Sequence, residues 1–512
     1  TESDGLLIDA VSVDVNRVDT GADSDPSNTS LEDLVTSASG AIVVTVTAGD
    51  LVVNGGTDTA NPGVSAAGTG NVRLQAADVV AGDLTLNAGL DGGEGHVTLL
   101  ASGALTQNAG GDIETGAGGT IDVEAESIEM VDGTLATAVN GNIRYAATTT
   151  VSVGRISTTG DVSLNAGDIR DSGTDGNTAV DVIANALRLQ SGDGAGEGVG
   201  RAANHLTTTV TRLSALAGAA GLFLSETDDV TVGTTPLIGV NRVQTNAGTL
   251  VESDAVQSGL SSDGDLVLLA GGAISNEAMN VITAEDSVVM SANGLATNLI
   301  IGSSLSSNAG HISLSATADI EQNADIQTLA DAATIDLNAG GSIVMGAMTT
   351  TTTNNGSIRY EAAADIKLRT LNAGMGASAG KVAVLAGDSI LYAAPTAAEH
   401  VIATELLLVA GDAIGDATDA IRTQVDRLAA RAGAGGLFLT EADGLIVDAV
   451  EVSVTRVDGE LNTTTPMDDG EDLTTTANGA IVVTVTTGDF TVNGGDDDAA
   501  VSAVGTGDVR LA

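Results

Sequence analysis

The feature that most constrains this chain is that it repeats itself over long distances. Residues 440–511 are a second version of residues 1–74, because TESDGLLIDAVSVDVNRV at the start returns as TEADGLIVDAVEVSVTRV. A weaker version begins at Ser225 and includes VNRV at 240–243. The sequence therefore divides into superrepeats at 1–224 and 225–439 and a partial superrepeat at 440–512. No single supersecondary element is that long, so each superrepeat must be assembled from smaller units.

A short phrase recurs inside each superrepeat: Gly, any residue, then aliphatic residues at alternate positions. Examples are GDLTLNAG at 82, GHVTLLASG at 95, GNIRYAA at 141 and GSIRYEA at 356. Alternation over five to seven residues is the period of a β-strand with one apolar face. We expect the following residues to be buried in stacked columns: Leu84, Leu86, Val97, Leu99, Ile121, Val123, Ile143 and Tyr145. Between them, Thr85, Thr98, Asp122 and Arg144 should point outwards.

Neighbouring phrases are separated by Gly, Asn, Asp and Ser, which are residues that favour sharp corners. No stretch has a sustained helical period with caps, and 180–192 and 398–410 are interpreted as strands. The sequence predicts an all-β fold, a parallel β-solenoid, with a right-handed β-helix as the favoured form. Coils of ~20–24 residues would form one continuous rod of about 110 Å. The sequence lacks the blade signature of a propeller. Immunoglobulin-like sandwiches would show a period near ~100 residues and more aromatic residues.

The composition is acidic and poor in aromatic residues. There are 68 Asp and Glu against 18 Lys and Arg, which gives a formal charge of −50, and only three Phe, three Tyr and no Trp. Such a charge repels nucleic acid and anionic membrane surfaces and attracts cations. Cys is absent, so neither disulfides nor thiol chemistry is expected. No apolar run approaches the ~18 residues of a transmembrane helix.

The segment GVGRAANHLTTTVTRLSALAGAAGLFLSE at 198–226 returns as AIGDATDAIRTQVDRLAARAGAGGLFLTE at 413–441. Together with the GDVSLNAG phrases, these segments resemble the filamentous-haemagglutinin-like repeats of giant bacterial surface proteins. The resemblance covers essentially the whole chain. It implies a β-solenoid and an extracellular or cell-surface location. Repeats of this kind serve as stalks and fibres, and their binding or secretion parts lie elsewhere.

Candidate sites are few. The acid-rich segments 19–33 and 458–472 are interpreted first as solvated loops, and a calcium or glycan site is the alternative. Carboxylates are the preferred ligands of calcium, and each segment carries an Asn-x-Ser/Thr triplet, at Asn28 and Asn462. The weak candidate calcium ligands are Asp468, Asp469, Glu471, Asp472, Asp496, Asp497 and Asp498. His96 and His311 occupy matching places in the two full superrepeats, which is typical of strand positions and not of zinc ligands. Arg recurs in phrases such as Val-x-Arg-Val, where surface pairing with carboxylates is expected, at ~0–1 kcal/mol each. Those Arg residues are Arg17, Arg212, Arg242, Arg427 and Arg456.

The sequence therefore predicts a structural extracellular fibre, stalk or sheath segment, compatible with adhesion, and neither an enzyme nor a resident cofactor is expected. The alternative is a glycan-binding or glycan-cleaving β-helix, which would need one non-repeating groove of aromatic or basic residues. The expected partners are further copies of the repeat, through self-association or through a longer chain, together with cations and, for the alternative, glycans. Stacking is expected to continue past both ends, because both lie within repeat phrases and neither shows a cap.

Overall fold

The computed structural model describes residues 1–56, 62–173, 179–376, 378–393, 398–493 and 499–512. Over these ranges the chain is all-β, with large parallel sheets and no helix. It forms two compact units. The first contains Thr1–Ala220 and Thr234–Gln257, and the second contains Gly221–Gly233 and Ser258–Ala512.

In the first unit the strands form three parallel ladders, in which a strand typically pairs with the strand three places later. Ladder 1 contains Leu6–Ile8, Leu51–Val53, Leu84–Leu86, Ala104–Gln107, Ser127–Met130, Thr150–Val153 and Asp168–Asp171. Ladder 2 contains Leu34–Thr36, Val64–Ala66, Leu90–Asp91, Ile113–Thr115, Leu135–Ala138 and Arg155–Thr158. Ladder 3 contains Ile42–Val46, Val72–Ala76, Val97–Ala101, Ile121–Ala125, Ile143–Ala147 and Val162–Asn165. The long strands Val182–Gln190 and Leu206–Ala217 extend ladders 2 and 3 together.

The second unit has three corresponding parallel ladders. Ladder 1 contains Val230–Val232, Ile274–Asn276, Leu299–Ile301, Ile320–Gln322, Ile343–Met345, Ile366–Leu368, Ile390–Tyr392, Ala413–Ile414, Gly436–Glu441, Ile481–Val485 and Val509–Leu511. Ladder 2 contains Leu260–Ser262, Ile282–Ala284, Leu305–Ser307, Ile326–Asp331, Thr350–Asn354 and Thr370–Asn372. Ladder 3 contains Leu222–Glu226, Leu266–Ala270, Val288–Ala292, Ile312–Ala316, Ile335–Ala339, Ile358–Ala362 and Lys381–Ala386. The long strands Val401–Ala410 and Ile421–Ala432 extend ladders 2 and 3, and they are followed by Leu445–Val447, Leu473–Thr475, Phe490–Val492 and Val501–Ala503.

In the described ranges, three antiparallel hairpins interrupt the ladders, at equivalent places in the three copies of the sequence. Hairpin A pairs Val11–Val18 with Ser24–Leu31. Hairpin B pairs Ile238–Val243 with Thr249–Asp254 and is flanked by the short strands Thr234–Thr235 and Gln257–Ser258. Hairpin C pairs Val450–Ser453 with Met467–Gly470 and Arg456–Val457 with Thr463–Thr464. Hairpins A and B belong to the first unit and hairpin C to the second.

The strand register explains the short sequence phrase. We use the word rung for one passage of the chain through the three ladders. In ladder 3, Ile143 lies opposite Val162 of the next rung, and Leu187 lies opposite Leu213 of the rung after it. Aliphatic residues at equivalent places in successive rungs therefore stack into columns. The eight residues predicted to be buried are confirmed, since each is 0% exposed: Leu84, Leu86, Val97, Leu99, Ile121, Val123, Ile143 and Tyr145.

The Gly that opens the phrase is required by the close approach of neighbouring rungs. A Cβ atom on Gly141 would lie 1.7 Å from the carbonyl oxygen of Gly119, and one on Gly380 would lie 1.9 Å from that of Gly356. No side chain fits such a gap without displacing backbone.

The residue just before the first inward aliphatic side chain, here termed the entry position, links one rung to the next. Its side chain accepts the backbone N–H of the entry residue in the following rung. Oδ1 of Asp265 accepts from Ser287 at 2.9 Å, and Oδ1 of Asp319 accepts from Ser342 at 2.7 Å. Asp, Asn, Ser and His at this position thus satisfy backbone groups that the corner leaves free of the ladder.

Candidate functional site: the hairpin seat

Hairpin B lies across ladder 3 of the first unit. The N–H of Asn241 donates to Oγ1 of Thr120 at 2.9 Å. The N–H of Val243 donates to Oγ1 of Thr98, one rung away, at 2.8 Å. The amide of Asn142 donates to the carbonyl of Gly239 at 3.0 Å. The hairpin strand therefore runs from rung to rung, with two hairpin residues for each rung, and ties neighbouring rungs together.

Hairpin C lies across ladder 3 of the second unit with the same geometry. The N–H of Thr455 donates to Oγ1 of Thr334 at 3.0 Å, and the N–H of Val457 donates to Oγ of Ser313 at 2.9 Å. Lys381 extends the series by donating to the carbonyl of Glu451 at 3.0 Å. We use the term seat for the strand face that receives hairpin B or hairpin C.

The centre of the first seat is a buried charge cluster. The carboxylate of Asp122, whose side chain is 0% exposed, lies 3.1 Å from Nη1 of Arg144 and 2.6 Å from Nε of Arg242. Glu124 Oε2 lies 2.5 Å from Nη2 of Arg242. Asp254, from the returning hairpin strand, lies 3.3 Å from Nε of Arg144. Each arginine is thus shared between the rungs and the hairpin.

Burial and charge act in opposite directions on these groups. Burial alone would lower the pKa of Arg144, but Asp254, Asp122 and Glu124 outweigh it and raise that pKa. Burial likewise favours a high pKa for Glu124, and its ion pairs with Arg242 and Arg144 bring that pKa below its ordinary value. The opposite charges of the cluster therefore compensate one another in place of water.

The second seat has the same cluster. Asp336, whose side chain is 1% exposed, pairs with Arg456 of the hairpin and lies 3.3 Å from Nη1 of Arg359. Arg359 also lies 2.8 Å from Glu361 and 2.6 Å from Asp468 of the returning hairpin strand. Removing one member of such a buried set typically costs ~3–5 kcal/mol, because the remaining charges lose their partner.

The base of the hairpin is held differently in the two units. In the first unit, buried Arg188 donates from Nε to the carbonyl of Ala255 at 3.0 Å. In the second unit, the place of Arg188 is taken by Leu407, which packs with Ala429, Val450 and Val452 in an apolar cluster. The base of hairpin B is thus held by a hydrogen bond and the base of hairpin C by apolar packing, whereas the charge cluster is common to both seats.

These seats correct two expectations from the sequence. Thr98, Asp122 and Arg144 do point away from the core, as predicted, but they are only 0%, 0% and 7% exposed because hairpin B covers them. Arg242 and Arg456 pair with carboxylates, as predicted, but their main partners are buried and the pairs are not weak surface contacts. The match of Arg144 with Arg359 between the two full superrepeats was the available signal for the cluster.

Hairpin A shares the inner-strand pattern of hairpin C, with Val at four matching positions and Arg17 in the place of Arg456, but it has no seat among the described residues. Val11, Val13, Val15 and Val18 are 61%, 55%, 55% and 65% exposed. Their counterparts in hairpin C are between 0% and 5% exposed, namely Val450, Val452, Val454 and Val457.

The histidines act as entry residues or lie buried. Nδ1 of His96 accepts the N–H of Thr120 at 3.1 Å, and Nδ1 of His311 accepts the N–H of Thr334 at 3.1 Å. Burial lowers the pKa of both histidines. His400 accepts from the backbone in the same way, and burial, with nearby arginines, lowers its pKa to about 4. These neutral imidazoles serve as backbone acceptors.

Four of the seven candidate calcium residues lie in the described part of the chain. Asp468 pairs with Arg359, and the backbone carbonyl of Asp472 accepts the N–H of Ala430 at 2.9 Å. Asp469 is exposed on the returning strand of hairpin C, and Glu471 follows that strand. The other three candidates lie outside the described residues, namely Asp496, Asp497 and Asp498. Across the described ranges, no three or more His, Cys, Asp or Glu side chains are placed to hold a metal ion.

A cleft of about 1020 Å³ opens beside hairpin B. It is lined by Glu124, Glu126, Arg144, Arg242 and Glu252, among others. Its arginines are already held by the charge cluster. All six aromatic residues lie in the described part of the chain and none is fully exposed: Tyr145, Phe223 and Tyr360 are buried, and Tyr392, Phe438 and Phe490 are half-buried.

Glu441 differs from its copy Glu2. Glu441 is 0% exposed and accepts from Oγ1 of Thr423 at 2.6 Å and from the N–H of Val425 at 3.2 Å. Burial nevertheless raises its pKa to about 7. In Glu2, a hydrogen bond from the N–H of Ser3 lowers the pKa. The pKa of a glutamate at equivalent positions of the two copies is thus raised in Glu441 and lowered in Glu2.

No helix among the described residues is long and apolar enough to cross a membrane. No protein-family model, curated protein or solved structure matches this chain.

Proposed function

We propose that this chain is a segment of a structural extracellular fibre, stalk or sheath on a bacterial surface or in its matrix. Its fold would be a parallel β-solenoid, right-handed in its favoured form, with coils of ~20–24 residues. The observation that carries the proposal is the hairpin seat. A hairpin that crosses several rungs, and is fixed to them by hydrogen bonds and a buried charge cluster, resists the separation of those rungs.

The use of polar groups supports this role. Side chains at entry positions serve the backbone of the next rung, as Asp265 and Asp319 do. The buried arginines of ladder 3 are likewise committed to the seats, as in Arg144 and Arg359. A chain that commits its polar groups to internal contacts is suited to transmitting force along its rungs. The excess negative charge would keep such a surface hydrated and bind cations non-specifically.

Single-molecule pulling on the full chain tests the mechanical role. We expect discrete high-force events, and we expect Asp336→Ala to abolish the strongest of them, because that substitution removes a carboxylate shared by Arg359 and Arg456. Gradual unzipping at low force, unchanged by Asp336→Ala, would contradict a bracing role for the hairpin. Antibodies against the chain should label intact, unpermeabilised producer cells, and labelling only after permeabilisation would overturn the extracellular location.

No observation favours the alternative of a glycan-binding or glycan-cleaving β-helix. Sugar rings usually stack on exposed aromatic faces, and every aromatic side chain here is buried or half-buried. Specific binding on an oligosaccharide array, lost on substitution of Glu124 or Glu252 in the cleft, would nevertheless establish that alternative.

A further inference from the structure

Hairpin A has the features of a hairpin that docks on a seat, but the described part of the chain contains no seat for it. Its turn is the turn of hairpin C, because Ala22 and Leu461 occupy the same place with φ angles of 65° and 64°. Asp19 and Asp458 each accept two backbone N–H groups from their own turns. Hairpin A therefore has the turn of the docked hairpin C, although no strand face of the described chain covers it.

The inner strand of hairpin A also keeps the groups that face a seat. Arg17 corresponds to Arg456, which reaches Asp336 in the second seat. Val11, Val13 and Val15, at alternate positions of the strand, form an exposed apolar strip, and Val18 is exposed as well. Contiguous apolar surface of this kind typically marks an interaction site. In hairpin C the corresponding strip is covered by ladder 3.

We propose that hairpin A docks on ladder 3 of one further superrepeat, which stands directly ahead of Thr1 in the polypeptide. Arg17 would pair with the carboxylate that corresponds to Asp336 in that superrepeat. The N–H of Val18 would donate to the hydroxyl that corresponds to Ser313. This inference rests on the internal copies alone and holds whatever the function of the protein.

The two occupied seats argue against a second copy of this chain as the occupant. The receiving face of the first unit is covered by hairpin B, and that of the second unit is covered by hairpin C. Hairpin C reaches so far along ladder 3 that a Cβ atom on Gly459, at its tip, would lie 2.8 Å from the side chain of Leu269. A hairpin from another molecule would have to displace a covalently linked one.

One contact differs between the hairpins. The residue opposite Val13 in hairpin A is Thr29, whereas the residue opposite Val452 in hairpin C is Asp468, which pairs with Arg359. Docking of hairpin A would therefore lack one ion pair of the charge cluster. We expect it to be weaker than docking of hairpin C and still specific, because the apolar strip and Arg17 remain.

The natural absence of Cys allows a direct test by thiol labelling. Residues 225–439 are placed ahead of Thr1, so that the new junction repeats the one between Leu439 and Thr440. A Val18→Cys variant of the 512-residue chain should react with maleimide like an exposed thiol. In the extended chain, the same variant should react at least about 100-fold more slowly, because labelling then requires local opening. Val457→Cys, the matched control, should react slowly in both chains.

Two further variants make the outcome decisive. Asp336→Ala in the added superrepeat should restore fast labelling of Val18→Cys, because Arg17 then loses the buried carboxylate of its seat. Ile335→Cys in the added superrepeat reports its folding, and fast reaction there would count against the proposal, which requires that superrepeat to fold ahead of Thr1. Equally fast labelling of Val18→Cys in both chains would overturn the proposal. Labelling that slows with the concentration of the 512-residue chain would instead identify a second copy as the occupant.

Discussion

Residues 1–31 and 440–470 are related copies in the sequence and have different surroundings. Val452 is buried against Leu407 and Ala429, whereas its copy Val13 is 55% exposed. Glu441 is buried with a raised pKa, whereas the pKa of Glu2 is lowered. The two hairpins have the same strand register and the same turn. Local sequence therefore specifies the hairpin, and the rungs preceding it in the chain decide whether its apolar side is buried.

The largest difference in stability between the two hairpins is expected when a charge is placed on the apolar side of each. Val452→Asp would bury an unpaired carboxylate in the apolar cluster and should destabilise the docked hairpin by several kcal/mol. Val13→Asp should change stability by less than about 0.5 kcal/mol, since that position faces water. Hydrogen exchange of peptides from 450–470 and 11–31 measures both effects. Equal losses in the two regions would show that hairpin A is already docked.

The arginines provide the next matched pair. Arg456→Ala removes one of the two cations that share Asp336 and should lower the free energy of opening hairpin C by about 3 kcal/mol. Arg17→Ala should have almost no effect in the 512-residue chain. Denaturant dependence of hydrogen exchange at Ile335–Ala339 and at 11–31 gives both values. A loss below ~1 kcal/mol for Arg456→Ala would place this pair among ordinary surface ion pairs.

The stability contributions of Glu441 and its copy Glu2 are expected to depend on pH in different ways. Because the folded pKa of Glu441 lies near 7 and its ordinary value is about 4.5, the folded chain holds a proton that the unfolded chain releases. The stabilising contribution is complete below about pH 4.5 and is lost as pH rises through 7, by on the order of 3 kcal/mol. Glu441→Gln should therefore gain stability relative to the wild type between pH 5 and 8. Melting curves across this range check the trend.

Glu2→Gln is the matched control for that experiment. The pKa of Glu2 is lowered, so any contribution it makes has the opposite sign and is present at neutral pH. The variant should show no relative gain as pH rises. A gain equal to that of Glu441→Gln would mean that Glu2 is also buried in solution.

The smallest expected effect concerns a single hydroxyl of the seat. Ser313→Ala leaves the N–H of Val457 without its acceptor and should weaken docking of hairpin C by ~1 kcal/mol. Exchange at the tip of hairpin C should accelerate, with hairpin A unchanged as the internal control. Restoration by Ser313→Thr would show that the hydroxyl itself is responsible, since Thr98 has this role in the first seat.

The sequence predicted the parts of the fold that depend on local period. Leu99 and Tyr145 are buried because alternation over five residues places them on one strand face. The strands at 180–192 and 398–410 are also confirmed, although each is one long strand that serves two ladders. In these cases the residues that pack against each other lie in adjacent rungs, and the spacing between rungs can be read from the recurring sequence phrase.

The seats could not be predicted in this way. Asp122 and Arg144 alternate with aliphatic residues just as solvated strand residues do, and their partner Arg242 lies 120 residues beyond Asp122. Nothing in the local pattern distinguishes an outward face that is covered from one that is open. The sequence gives two indications, the recurrence of Arg17, Arg242 and Arg456 within copied phrases and the match of Arg144 with Arg359. Each shows that a position is retained without showing what it contacts.

The entry positions have a consequence for how this chain can evolve. Asp265, His311 and Asn142 all perform the same task there, since each accepts a backbone N–H from the following rung. Any short side chain with an acceptor suffices, so mutation can exchange acidic for neutral residues at these corners with little effect on folding. Net charge is then free to drift or to adapt to the ionic strength of a habitat. Homologues of very different isoelectric point could therefore share one architecture.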